Sequence, residues 1–346
     1  MKILVLGGTR FLGRHIVQEA LRRGHAVTIF NRGNSHEIFP EVELLLGDRD
    51  GTLDALKGRK WDAVFDTCGF VPRTIAKAAA VLGDNIEHYT YISSISVYQD
   101  WVPLGITESY MLQTLPPEEV EEITKDSSGP IYEYYGALKA LCEFEAKKHM
   151  PGKVLTIRAG QIVGPFDYTD RFPYWVGRIA KGGRILCPGN PNLPIQLIDA
   201  KDLARWVITM AEARKTGTYN ATGPDYPLTM QQLFEACKEV TNSDAEFVWV
   251  QEEFLLNNNV VPWVQMPLWL PENHPMPGET KPWKGSFQIN IEKAVRQGLT
   301  FRPLEEIIYD VWEWEQGRPD NEERKAGLPL KREEELLQLW DNIKIH

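Results

Sequence analysis

The chain has no long apolar run, few cysteines and no excess of positive charge, and each absence removes a class of function. No stretch reaches the roughly 18 consecutive apolar residues of a membrane span, so no membrane helix is expected. The opening run Lys2-Ile-Leu-Val-Leu6 has no basic leader before it, and no signal peptide is expected. The four cysteines, Cys68, Cys142, Cys187 and Cys237, are widely separated. Neither a zinc knuckle nor a CxxC redox pair can be drawn from them, so no metal site is expected, and a reduced, cytoplasmic setting fits. Lys and Arg number 38 against 48 Asp and Glu, a net charge of −10. That balance disfavours binding to nucleic acid or to an anionic membrane surface. The chain has no internal repeat and no low-complexity tract.

What is present is a regular alternation in the first half. Residues 2–6 read as a strand, 7–13 as a glycine-rich turn, and 14–23 as a helix with Ile16, Val17, Ala20 and Leu21 on one face, ended by Gly24. Strand patterns follow at 26–30, 42–46, 62–65, 89–97 and 153–158, with helices around 52–56, at 76–82 and over the segment carrying Tyr135 and Lys139. Repeated β-α units of this kind predict an α/β fold: a Rossmann-type, doubly wound parallel sheet with right-handed crossovers. After Gly164-Pro165 the periodicity weakens and proline and tryptophan become dense, as in Phe172-Pro-Tyr-Trp175 and Pro267-Leu-Trp-Leu-Pro271. Residues 1–165 are assigned to a dinucleotide-binding domain, to which 193–222 return with a strand near 195–199. Residues 166–192 and 223–346 are assigned to a smaller substrate-binding lobe with a charged helical tail. Leu336, Leu337, Leu339 and Trp340 form an apolar face for docking that tail.

Three motifs stand in order. Gly7-Gly-Thr-Arg-Phe-Leu-Gly13 lies between a strand and a helix. Tyr91-Ile-Ser-Ser-Ile-Ser-Val-Tyr98 ends the fifth strand. Tyr135-Gly-Ala-Leu-Lys139 follows. A Tyr-x-x-x-Lys match alone means little, since twelve tyrosines give about one by chance. The ordered set resembles the extended short-chain dehydrogenase/reductase family, which includes the NAD-dependent epimerase/dehydratase enzymes. The resemblance extends through Arg158, Gly164-Pro165, Asp202-Leu-Ala204, Tyr219-Asn-Ala-Thr-Gly223 and residues 291–303.

A phosphate-binding turn needs glycines for close backbone approach and a following helix N-terminus for its free N–H groups. Gly7, Gly8 and Gly13 stand in that context, with Thr9, Arg10, Phe11 and Leu12 completing the turn. The family pattern has a middle glycine where this chain has Arg10. NAD-preferring relatives carry an acidic residue after the second strand, where this chain has Asn31 and Arg32. Without that acid a 2′-phosphate meets no repulsion, and two arginines can pair with it. NADP is therefore expected in preference to NAD. The resemblance further implies adenine contact from Asp48-Arg49 and a nicotinamide-side lining from Thr67-Cys68-Gly69, with Cys68 reading as a small buried filler.

Tyrosine and lysine four residues apart share one helix face. A nearby ammonium favours the phenolate, bringing a group of ordinary pKa about 10 toward use as an acid or base. Tyr132 and Tyr134 have Gly136 and Leu138 at that spacing, and so do not compete. By the resemblance, Tyr135 is the proton-transfer group and Lys139 also holds the nicotinamide ribose. Counting back from Tyr98, the hydroxyl partner is Ser94, with Ser93 and Ser96 as fallbacks. Hydride transfer at a carbonyl/hydroxyl carbon is the expected chemistry.

Dehydratases of the family have an acid just after the catalytic hydroxyl residue. Here Ile95 and Ser96 follow, which disfavours 4,6-dehydration. Nucleotide-sugar epimerases grip a diphosphate with second-lobe arginines. One such place is Ile195 here, and the other falls near Thr280, with Lys281 and Lys284 close by. Substrate contacts are assigned to Ser94, Tyr135, Gln161 (where relatives have asparagine), Arg171, Phe172 and Trp175. The open readings are a reductase acting on a sugar or a flat apolar substrate, an epimerase retaining its cofactor, and, because the glycine turn also looks like that of chloroplast stem-loop-binding proteins, an RNA-binding protein on this scaffold. A homodimer through the helix bearing Tyr135 is implied by the resemblance.

Overall fold

Strands that are apolar on both faces need cover on both, and helices provide it in this chain. The computed structural model describes residues 1–33, 39–276, 278–319 and 322–344. In chain order the strands are β1 (Lys2–Leu6), β2 (Ala26–Asn31), β3 (Glu43–Leu46), β4 (Trp61–Asp66), β5 (Ile86–Ser94), β6 (Val154–Ala159), β7 (Ile162–Val163), β8 (Arg184–Pro188), β9 (Ile198–Asp199), β10 (Gly217–Ala221) and β11 (Glu246–Val250). The helices are α1 (Phe11–Arg22), α2 (Pro72–Leu82), α3 (Pro117–Thr124), α4 (Tyr135–His149), α5 (Arg171–Ala180), α6 (Ala200–Glu212), α7 (Met230–Thr241), α8 (Glu252–Asn257), α9 (Glu292–Arg296), α10 (Leu304–Gln316) and α11 (Leu330–Lys344).

Seven strands form one sheet in the order β10-β6-β5-β4-β1-β2-β3, with every pairing parallel. Alternate residues of a strand face opposite sides. Accordingly Ile3 and Val5 join α1 and α6 in one core, while Leu4 and Leu6 join α2 and α4 in the other. A third core lies in the second lobe. There Phe172, Trp175, Phe234 and Trp269 bring together α5, α7, β8, α10 and α11 with the loops between them. Its regular scaffold includes a parallel pair, β8 with β11, that periodicity did not signal.

Four expectations shift. The segment 52–56 forms only a 3-10 turn, Asp54–Leu56, because the stretch between Gly51 and Gly58 is too short to nucleate an α-helix. The helix expected at 76–82 starts at Pro72, whose fixed φ suits a first helical position. Of residues 195–199 only Ile198–Asp199 is a strand, and it pairs with β7 outside the main sheet. In α11, Leu336, Leu337 and Trp340 are buried but Leu339 faces solvent. Gly24, with φ of +75°, closes α1 as its position suggested. No helix among the described residues is long and apolar enough to cross a membrane.

Candidate active site

In an open parallel sheet, a crevice forms where the strand order reverses direction, at the carboxyl ends of the strands. Here that place lies between β1 and β4, and the glycine turn sits on it. Gly7 and Gly8 have φ of +105° and +81°, values that other residues rarely adopt. A Cβ on Gly13 would lie 2.8 Å from the Gly8 nitrogen, so a side chain there would push α1 off the turn. Arg10 is the N-cap of α1 and makes no side-chain cap, leaving the first-turn N–H groups open. Phe11 and Leu12 are buried below the turn, whereas Thr9 is half-buried and Arg10 exposed. At the end of β2 the Asn31 carboxamide oxygen accepts from the Gly33 N–H at 2.7 Å. Its Nδ2 is buried without a partner. Arg32 is exposed beside it.

The far wall of the crevice follows β4. The Thr67 hydroxyl donates to the Leu6 carbonyl at 3.0 Å, next to Gly7. Asp66 is wholly buried. It accepts both guanidinium nitrogens of Arg49, Nη2 at 2.5 Å, and the Tyr89 hydroxyl. The Arg49 side chain is thereby committed to the interior, and the expected adenine contact from this guanidinium is corrected. Of the Asp48-Arg49 pair only Asp48 is exposed. Burial pushes the Cys68 thiol up from its usual range, and Arg49 Nη1 donates to its sulfur at 3.5 Å.

β5 delivers Ser94 to the same edge, and α4 begins at Tyr135. The Ser94 hydroxyl donates to Ser96 Oγ at 3.0 Å and accepts from the Ser96 N–H at 3.1 Å. The neighbouring Ser93 points the other way and donates to the buried Glu143 at 2.6 Å. What allows α4 so close is Gly136. A Cβ there would lie 2.0 Å from the Ser96 carbonyl oxygen.

Lys139 is only 2 % exposed and donates to the carbonyls of Gly69 (2.9 Å) and Ile92 (2.6 Å). Burial lowers its pKa to about 8, opposed in part by Cys142, Asp66 and Glu143. Tyr135 moves against expectation. Burial and the Tyr168 phenol push it up to about 12, with the nearby Ser94 hydroxyl opposing. The ammonium one turn away does not offset the loss of water around the phenol.

The loop after β7 closes the site. Gln161 donates to the Ile162 carbonyl at 3.1 Å at the end of β6. Arg171, at the start of α5, stacks 5.0 Å over Trp263 and makes no ion pair or hydrogen bond among the described residues. Burial lowers its pKa, opposed by Asp167 and by the phenols of Tyr132, Tyr168 and Tyr135. Phe172 and Trp175 do not line this space. They are 0 % and 1 % exposed, and Trp175 donates to the Pro267 carbonyl at 2.6 Å in the second-lobe core. Helical spacing turns them inward from Arg171.

Sequence reasoning missed Gly136, Asp167 and Tyr168. Gly136 had a signal in its place directly after Tyr135. Tyr168 packs edge-on against Phe11 of the glycine turn at 6.4 Å, and only the tertiary fold brings it there. Asp167 is buried with one oxygen unpartnered, and burial pushes it up to about 6. A possible metal cluster, Glu252, Glu253 and His274, is better read as a loop anchor. Glu252 accepts from the Glu272 N–H, the Asn273 N–H and His274 Nδ1 at 2.7–2.9 Å.

Residues 3–222 match the family model described as "NAD dependent epimerase/dehydratase family". The chain is 27 % identical over 256 residues to the chloroplast stem-loop binding protein of 41 kDa b of Arabidopsis thaliana, covering 68 % of this chain and 62 % of that protein. It is 26 % identical over 140 residues to the UDP-glucose 4-epimerase of Lactobacillus helveticus, covering 34 % and 42 % respectively. Each match thus spans less than two thirds of the relative's length. The UDP-N-acetylglucosamine 4-epimerase of Bacillus cereus superposes with a TM-score of 0.66 at 17 % identity, covering 93 % of this chain and 99 % of that one. That likeness is one of fold.

Proposed function

Since the chain belongs to the NAD dependent epimerase/dehydratase family, we propose that it is a nicotinamide-dependent oxidoreductase or epimerase acting at a carbonyl/hydroxyl carbon through Ser94, Tyr135 and Lys139. The observation that carries this is that the end of β5, bearing Ser94, meets α4, whose first residue is Tyr135 and whose buried Lys139, one turn on, donates to the Ile92 carbonyl. Ser94 orients the substrate oxygen, and Tyr135 gives it a proton or removes one. A nicotinamide held in the crevice would deliver or accept the hydride at the carbon bearing that oxygen. Lys139 would turn from the Gly69 and Ile92 carbonyls toward the ribose, and its positive charge there would favour the phenolate. The raised pKa of Tyr135 suits the acid role in carbonyl reduction.

NADP is the proposed form of the cofactor. The unpartnered Asn31 Nδ2 and the exposed Arg10 and Arg32 support an added phosphate at this end of the crevice, while the uncapped start of α1 suits the pyrophosphate of either form. Gln161 and Arg171 are proposed substrate contacts. Residues 1–165 with 193–222 would hold the dinucleotide, and the rest would hold the substrate. The test is to denature purified protein, identify any nucleotide released, and titrate the stripped chain with NADP(H) and NAD(H). Exchangeable NADPH supports a reductase, and retained cofactor supports an epimerase. No binding of either would sink the reading.

One comparison favours a second reading, RNA binding, through the stem-loop binding relative. The net charge of −10 opposes it. A gel shift with structured RNA that is tight and salt-dependent would bring it forward.

A further inference from the structure

The second lobe contains a cavity of about 210 Å³. None of Ser94, Tyr135, Lys139, Gln161 or Arg171 lines it, so it is a compartment apart from the candidate active site. Its wall is mostly apolar. Met230, Leu268 and Trp269 are buried there, and Trp283 and Phe287 are half-buried.

The two half-buried rings are held in place from outside. Trp101 meets Trp283 edge-on at 4.7 Å, and Trp263 tilts against Phe287 at 6.1 Å. Neither Trp101 nor Trp263 lines the cavity. Leu268 has a φ of +64°, a left-handed value that a leucine adopts only where its surroundings impose it. The aromatic wall is therefore positioned by the fold before any ligand enters.

One polar group interrupts that wall. Ser286 is 5 % exposed and supplies the one hydroxyl among the lining residues. This hydroxyl makes no hydrogen bond among the described residues. Gln288, also in the wall, already gives its Nε2 to the Lys284 carbonyl at 3.3 Å. Buried hydroxyls are stabilised by a partner, and a buried water needs about three hydrogen bonds of its own. A ring carrying a hydroxyl suits this wall better than water does. Its apolar body covers the aromatic rings while its polar end meets Ser286.

Size and charge narrow the ligand further. An apolar cavity of about 150 Å³ admits benzene, so this one admits a single ring with a short substituent. The charged lining residues are Glu272 and Lys284, one of each sign. A ligand with a net charge gains nothing from that balance, and a nucleoside diphosphate would bring several negative charges to one lysine.

We propose that the cavity is a binding site for a small, uncharged phenol, whose ring packs on Trp269, Trp283 and Phe287 and whose hydroxyl hydrogen-bonds Ser286 Oγ. This site is independent of the oxidoreductase reading.

Phenol and toluene are the probes, titrated into the full chain and followed by ligand-detected NMR. Saturable binding of phenol is expected. Ser286→Ala should weaken phenol about five- to tenfold and leave toluene within about twofold of the parent, since only phenol loses a hydrogen bond. Trp283→Ala should weaken both about tenfold. Neither UDP nor benzoate should displace phenol, and Tyr135→Phe should bind phenol like the parent. The proposal is overturned by absence of saturable phenol binding, by equal effects of Ser286→Ala on the two probes, or by displacement of phenol with UDP or benzoate. A folded Trp283→Ala that binds both probes like the parent overturns it too. So does loss of phenol binding in Tyr135→Phe, which would put the ring at the reacting pair. Should Trp283→Ala fail to fold, the Ser286→Ala comparison decides alone.

Discussion

The two halves of this molecule bury their apolar surface in different ways. The sheet half does it by period: alternating residues on β1, β4 and β5 fill two cores covered by helices on either side. The second lobe does it by bulk, with Trp175, Phe234, Trp249 and Trp269 holding together short elements and long connections. The first arrangement is general and fixes reacting groups at strand ends. The second relies on the fit of large rings against one another instead of on strand period. If the proposed function holds, chemistry and selectivity are separable, and substitutions in each half should show it.

The largest effect is expected from Tyr135→Phe. It should lower turnover by about 10²–10⁴-fold while leaving NADPH affinity unchanged, as read by cofactor absorbance and by titration. An equal loss of affinity would break the division between chemistry and binding. Next is Arg49→Met, which leaves the buried Asp66 carboxylate with no cation and only the Tyr89 hydroxyl and the Cys68 N–H. About 3–5 kcal/mol should be lost in urea unfolding, and adding Asp66→Leu should recover much of it.

Trp175→Phe should cost about 1–3 kcal/mol through the lost hydrogen bond to Pro267 and the poorer fit. Its KM should not change. A raised KM would return Trp175 to the substrate site.

Asp167 tests the joint between the halves. Its carboxyl is raised from 3.8 to about 6 by burial, so between these values the folded chain binds more protons than the unfolded one. The stability it contributes is full below about pH 4 and is lost as pH rises through 6. Asp167→Asn should flatten that dependence and stabilise the protein at pH 7 by about 1–2 kcal/mol, as urea midpoints across pH 4–7 would report. The smallest effect is that of Arg10→Gly, expected to weaken NADPH about tenfold and NADH hardly at all.

How far the sequence could be read follows the same division. Period-two and period-3.6 patterns announced the sheet, and strand-turn-helix context located Gly7–Gly13. The order of motifs singled out Ser94, at the end of β5, and Tyr135, at the start of α4. The second lobe has no such rhythm, so Phe172 and Trp175 could not be told from pocket residues by type alone. Their burial depends on which way α5 rolls against α7. The inward turn of Arg49 was equally hidden, because it depends on a carboxylate at the end of a strand three places away in the sheet. Likewise, the pKa of Tyr135 is set by how much water the tertiary fold removes, which spacing does not express.

The missing side chain at Gly136 has a consequence for engineering. Because main chain meets main chain there, the spacing of the two hydroxyls is gauged by the backbone and not by any replaceable neighbour. Replacing the side chains around α4 therefore leaves that spacing in place, provided that this one position keeps its bare α-carbon.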